Sequence, residues 1–213
     1  MSRAKMEEFF DSLSNEQEEP VFKHKLISLL NNRNSAWKDG DNDQDLQNSK
    51  SADIVNNDLQ IAVEIKIEDA SRVLEPIPYG TKGFVRDLVP NNIFNVKDEK
   101  RAYWYSRRYR KYIKDALNKF ENYPNYKTLL FIRTFVSPLY FTKDIINELI
   151  SEDRSTMISI KRPQNIGGFL LMNAGDRNVR YYQNEYADAN SQLTHREVCE
   201  IFNYEICTFE KFT

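Results

Sequence analysis

The stretch Ser51 to Asp69, SADIVNNDLQIAVEIKIED, constrains the fold more than any other part of the chain. Side chains alternate faces along a strand. In IAVEIKI, Ile61, Val63, Ile65 and Ile67 therefore share one face, and Ala62, Glu64 and Lys66 share the other. The isoleucine face must be covered, so this strand belongs to a sheet with a layer packed on it. The run before it ends in the polar turn composition NNDL, which predicts a hairpin.

Register decides what the other face carries. A two-residue turn at Asp58-Leu59 puts Asp53 directly opposite Glu64. A turn at Asn57-Asp58 puts it opposite Ala62 and diagonal to Glu64. In both, Asp53 shares a face with Glu64 and Lys66 while Ile54 joins the isoleucines. Two carboxylates so close repel each other unless a cation or proton lies between them. Mg²⁺ is a hard ion satisfied by one or two carboxylates plus water and phosphate oxygens, and Lys66 adds a fixed positive charge one strand step away. An amphipathic strand with a wet face also alternates Glu and Lys with isoleucine. What distinguishes this one is Asp53, eleven positions before Glu64 and on its face.

Around the hairpin the periodicity predicts an α/β fold. Met6, Phe9, Phe10 and Leu13 have helical spacing, and a second helix is expected from Pro20, with Leu26, Ile27, Leu29 and Leu30 on its apolar face. Ala36 to Lys50 reads as a polar connection. Arg72 to Asp98, rich in Pro and Gly, reads as a long functional loop. Lys100 to Asn122 predicts a long helix, with Ala102, Tyr105, Tyr109, Tyr112, Ala116 and Phe120 on one side. YKTLLFIRTFV, residues 126–136, predicts a strand, and Lys143 to Ser151 a helix. Gly168–Asn173 and Val179–Glu185 flank AGDR as a hairpin. Thr194-His-Arg-Glu197 has a capping-box pattern before a short helix, and Tyr204–Phe209 predicts a last strand. The expectation is one domain over 1–213 with a mixed central β-sheet flanked by helices. Its core spans about 20–136, and 137–213 adds C-terminal strands.

Composition narrows the function classes. With 30 Lys plus Arg against 32 Asp plus Glu, net charge gives no support for polyanion binding, which would need a local patch. No apolar run reaches membrane-span length, and Met1 to Leu13 lacks the apolar centre of a secretory signal. Cys199 and Cys207 match no metal knuckle or redox pair. The expectation is a cytoplasmic protein without a membrane partner.

Asp53 followed by Glu64-Ile65-Lys66 resembles the signature of the PD-(D/E)XK nuclease superfamily. In its restriction-endonuclease-like fold, a helix precedes a hairpin bearing these residues, and a further helix and strand follow. The resemblance runs from about Pro20 through Val136. It implies a Mg²⁺-dependent deoxyribonuclease, with Mn²⁺ as a substitute ion and DNA as substrate. The modest size and extra C-terminal strands suit a restriction-type endonuclease, in which a homodimer would cut both strands. The resemblance implies that Asp53, Glu64 and the main-chain carbonyl of Ile65 bind the metal and that Lys66 orients or activates the attacking water. It also implies an acid on the preceding helix, with Glu19 the first choice over Glu16 and Glu18. Ala52 stands where the superfamily name has Pro. Arg108-x-x-x-Tyr112 replaces the Gln-x-x-x-Tyr of the exonuclease-like branch.

From Lys97 to Lys119 nine Lys or Arg stand against three acids, and Arg107, Lys111 and Lys114 share a helix side that suits a phosphate backbone. A solvated helix face reads equally well. Lys82 and Arg86, in YGTKGFVR, are further nucleic-acid candidates. Asp39 to Asp45 fails as an EF-hand loop, because Gln44 and Lys50 stand where Gly and Glu are needed. The alternative from another class is a catalytically inactive nuclease-like domain that binds nucleic acid or protein.

Overall fold

Seven strands pair in the order in which they occur along the chain, and helices cover both faces of the resulting mixed sheet. The computed structural model describes residues 13, 16, 18–32, 36–42, 51–68, 99–134, 164–173, 179–202 and 207–208. The elements are α1 (Glu19–Asn31), β1 (Trp37–Asp39), β2 (Ile54–Asn56), β3 (Ile61–Ile67), α2 (Glu99–Phe120), β4 (Lys127–Thr134), β5 (Gly168–Asn173), β6 (Val179–Gln183), α3 (His195–Phe202) and β7 (Cys207–Thr208). A 3₁₀ turn, Gly40–Asn42, follows β1.

β1, β2 and β3 run antiparallel in turn. α2 then crosses over, so that β4 lies parallel to β3, as a helical crossover requires. β5 is parallel to β4, β6 antiparallel to β5, and β7 parallel to β6. The C-terminal strands thus extend the same sheet.

Alternation along β3 separates two cores. Ile54, Ile61, Val63 and Ile65 pack with Leu129, Phe131, Leu170 and Met172 beneath α1 and α3, through Phe22, Leu26, Leu30, Val198 and Phe202. On the opposite face Val55, Ala62, Leu130, Ile132, Phe169 and Leu171 meet Tyr109, Ile113, Ala116 and Phe120 of α2. The acid-bearing face of the hairpin is therefore the one that α2 covers. At its N-terminus α1 begins with Glu19 and Pro20, both favourable in a first turn. α3 opens with the full reciprocal cap. Glu197 Oε2 accepts from the Thr194 amide at 2.8 Å, and Thr194 Oγ1 accepts from the Glu197 amide at 3.2 Å.

Two expectations change. The segment after Ala36 is not all connection, because Trp37, 4% exposed, anchors an edge strand. The Asn31 side chain fixes it, donating to the Trp37 carbonyl at 2.9 Å and accepting from the Trp37 amide at 3.0 Å. On α2, Ile113 is buried where Tyr112 was expected, and Tyr112 packs at the margin. The final strand is described only at Cys207–Thr208. The expected N-terminal helix (apart from Leu13), the 72–98 loop, the AGDR turn and the 143–151 helix lie outside the described residues.

Candidate active site

β2 and β3 pair with Ile54 opposite Val63 and Asn56 opposite Ile61, so one step further Asp53 stands across from Glu64. The intervening loop is Asn57–Gln60, four residues centred on Asp58-Leu59. It is therefore longer than the two-residue turn expected but lies on the same axis. Asn56 Oδ1 accepts from the Leu59 amide at 2.9 Å, and Gln60 takes a left-handed φ of 51° to re-enter the strand.

Both acids are buried, Asp53 at 5% exposure and Glu64 at 0%. A buried carboxylate needs compensating partners. Asp53 Oδ2 accepts from the Ile65 amide at 2.7 Å, so the main chain of Ile65 lies against the acid. The Lys66 ammonium lies 2.5 Å from Glu64 Oε1. Asp53, Glu64 and Lys66 are thus brought together.

A residue not singled out from the sequence completes the group. The Lys119 ammonium, from the last turn of α2, donates to Asp53 Oδ1 at 2.9 Å and lies 2.8 Å from Glu64 Oε2. One cation therefore spans both acids, as two neighbouring carboxylates demand. Glu64 Oε2 is buried, and the Lys119 ammonium is the cation that pairs with it. A cation is also favoured at the C-terminal end of a helix.

The electrostatics follow from this packing. Burial, then the Asp53 charge, pushes the Glu64 carboxyl up to about 7, against the opposing pull of Lys66 and Lys119. Burial disfavours the Lys119 charge, but Asp53 and Glu64 outweigh it and hold the ammonium above its ordinary value. Glu19 is exposed at the start of α1, yet it belongs to the same field. Loss of surrounding solvent and then Asp53 raise its carboxyl, while Lys66, Lys119 and Lys23 pull it down.

Neighbouring elements brace the site. Gly40 donates its amide to the Asp53 carbonyl at 3.0 Å, and a Cβ at Gly40 would stand 1.9 Å from the Ala52 carbonyl oxygen. The Asp-Gly-Asp run, expected as a hydrated loop, holds Lys23, whose ammonium donates to Asp39 at 2.9 Å and Asp41 at 2.7 Å. Beyond Lys66 the same face carries Glu68, which is buried. Its Oε2 accepts from Thr134 Oγ1 at 2.8 Å, and that oxygen accepts from Tyr109 OH at 2.7 Å. This chain of hydrogen bonds fastens α2 over β3 and β4.

Among the described residues, no three or more His, Cys, Asp and Glu side chains are grouped to hold a metal ion. The pair Asp53 and Glu64 nevertheless matches in kind the one or two carboxylates that Mg²⁺ takes from protein, and both acids already converge on a cation. Lys111 and Lys114 are exposed on α2, and Arg107 lies on the same helix. Lys82 and Arg86 fall outside the described residues. No helix among the described residues is long and apolar enough to cross a membrane. The chain matches no protein-family model, no curated protein and no solved structure.

Proposed function

We propose that this protein is a Mg²⁺-dependent endonuclease that hydrolyses phosphodiester bonds in DNA, built on a restriction-endonuclease-like core of the PD-(D/E)XK type. The observation that carries the reading is the meeting of Asp53 and Glu64 on one cation, with Lys66 beside Glu64. The succession α1, hairpin, α2, parallel β4 supports it, because the same succession is expected of such a core.

In this reading Asp53, Glu64 and the Ile65 carbonyl hold Mg²⁺, with Mn²⁺ as a substitute. The bound ion supplies Lewis acidity at the phosphodiester. The Ile65 amide fixes the Asp53 carboxylate in place. Lys66 orients the attacking water and offers a fixed positive charge to the charge that builds on the phosphoryl oxygens. Glu19 is the helix acid offered to the site, its carboxyl raised by loss of solvent and by Asp53. Arg107, Lys111 and Lys114 bind the phosphate backbone, with Lys82 and Arg86 as further contacts. A homodimer would bring a site to each strand of the duplex.

One observation favours a second reading, a nuclease-like domain that binds nucleic acid or protein without cutting. Lys119 already neutralises the two acids, as an inactive site would require. Supercoiled plasmid incubated with the purified chain in Mg²⁺ or Mn²⁺ separates the two, with RNA offered in parallel. Nicking that EDTA abolishes and that Lys66→Ala lowers by ~100-fold or more supports the nuclease. Binding without nicking, or nicking equal in Lys66→Ala, overturns it.

A further inference from the structure

Lys119 occupies the position that a divalent ion would need, and this goes beyond the assignment of the acids. We propose that Lys119 is a resident counter-ion: it closes the Asp53–Glu64 site while no metal is bound and must withdraw when a divalent cation enters. The inference rests on the nuclease reading and adds a control on that same site.

The argument is geometric. The ammonium lies 2.9 Å from Asp53 Oδ1 and 2.8 Å from Glu64 Oε2. An Mg²⁺ ion bound to the same oxygens would sit at about 2.1 Å from each, hence no farther than about 5 Å from the ammonium. Two cations at that separation in a partly buried site repel strongly, and the energy they would share is the attraction of the same two carboxylates. One of them must leave. Lys119 can leave, since its side chain is 21% exposed and sits in the last turn of α2 on a flexible stem. Glu64 Oε2 is buried and its close cation is Lys119, so an entering ion would have to take over that contact. Lys66 is differently placed. Its ammonium pairs with the other oxygen of Glu64, Oε1, and not with the pair of oxygens that Lys119 spans, so it is not required to move.

Without the ammonium no cation would span the two acids, and only Lys66 at Glu64 and the Ile65 amide at Asp53 would offset them. With it, the site should bind a divalent ion more weakly than its carboxylates alone would, and loading becomes a competition set by ion concentration. Lys119 is a positioning residue here, not one that touches the reacting atoms.

Mn²⁺ titrated calorimetrically into the full chain, into Lys119→Met and into Lys66→Met tests this. The expected result is Mn²⁺ affinity on the order of tenfold tighter in Lys119→Met, with no such gain in Lys66→Met. Because Lys119→Met removes a cation from between buried acids and is at risk of unfolding, a second measurement uses the unaltered chain. Reductive methylation read by mass spectrometry should show Lys119 protected without metal and several-fold more reactive at saturating Mn²⁺, with exposed Lys111 as the internal reference. If the unaltered chain binds Mn²⁺ but Lys119→Met binds no tighter, or if Lys119 labelling is unmoved by bound Mn²⁺, the counter-ion role is overturned and the nuclease reading stands. If neither chain takes up Mn²⁺, the metal site itself is refuted and the counter-ion falls with it.

Discussion

Lys119 and Asp53 are 66 residues apart in the chain and 2.9 Å apart in space, ammonium to carboxylate. The contact joins the end of α2 to the entry of β2, so the crossover helix forms a wall of the site as well as a layer of the fold. Asp53 is fixed from three directions: by Lys119 at Oδ1, by the Ile65 amide at Oδ2, and by the Gly40 amide at its carbonyl. The two amide restraints do not depend on Lys119 and by themselves hold the acid in place.

Gly40→Ala tests the third of those restraints. Its new Cβ would meet the Ala52 carbonyl oxygen at 1.9 Å, and because that oxygen is backbone, the start of β2 must shift. A loss of about 2–3 kcal/mol is expected from such overpacking, read as a lower urea midpoint. Nicking per folded molecule should also fall, because Asp53 moves with β2. An unchanged midpoint would show that the close approach is not real.

The α3 cap gives a control remote from the acids. Thr194 Oγ1 accepts from the Glu197 amide, and Glu197 also pairs with Lys127 at the start of β4. Thr194→Ala should cost about 1 kcal/mol of stability, measured by urea unfolding. Plasmid nicking should be unaffected, since α3 covers the isoleucine face and not the acid-bearing one. A drop in nicking beyond the loss of folded protein would link the two faces and contradict this separation.

The hairpin faces could be read from the sequence because period-two alternation sets them locally, and both two-residue turn registers put Asp53 on the face of Glu64. The capping box was equally local, as its four residues carry both hydrogen bonds. Lys119 was not accessible by the same means. It counted as one charge among nine basic residues, and what buries it is the placement of α2 over β3, a long-range packing relation. The only hint is that Lys119 stands seven residues, two helical turns, after half-buried Tyr112, and so lies on the margin of the buried stripe. Trp37 was missed for a related reason, since the polar residues around it hide an edge strand that is fixed by the side chain of Asn31.

The exposed lysines of α2 make the DNA reading quantitative. Lys111 and Lys114 point to solvent, and if each contacts a phosphate, replacing one by Ala should weaken binding evenly across sequences. The slope of log K against log salt should become shallower by about 1 for each lysine removed. Fluorescence anisotropy on duplexes of unrelated sequence, over a salt series, reads both quantities. Slopes unchanged in Lys111→Ala and Lys114→Ala would mean that this face of α2 is simply solvated.

The burial of Glu64 makes the stability of the metal-free protein depend on pH in a defined direction. Its carboxyl titrates at about 7 in the folded chain, first because it is buried and second because Asp53 is close, whereas in the unfolded chain it titrates near 4.5. Between these values the folded state holds a proton that the unfolded state has lost, so the contribution of Glu64 is fully present below about pH 4.5 and disappears as pH rises through about 7. The decline is at most about 1.4 kcal/mol per pH unit. Other acids shift in the same direction; Glu19, for example, is raised first by loss of surrounding solvent and then by Asp53. The informative quantity is therefore the difference between the unaltered chain and Glu64→Gln, taken from urea unfolding at each pH in EDTA. That difference should fall from pH 5 to 7 and level off above. Saturating Mg²⁺ should reverse the trend, because a metal stabilises the ionised carboxylate and its binding strengthens as protons leave. A difference that rises with pH in EDTA would mean that Lys66 and Lys119 dominate over burial and hold Glu64 ionised throughout.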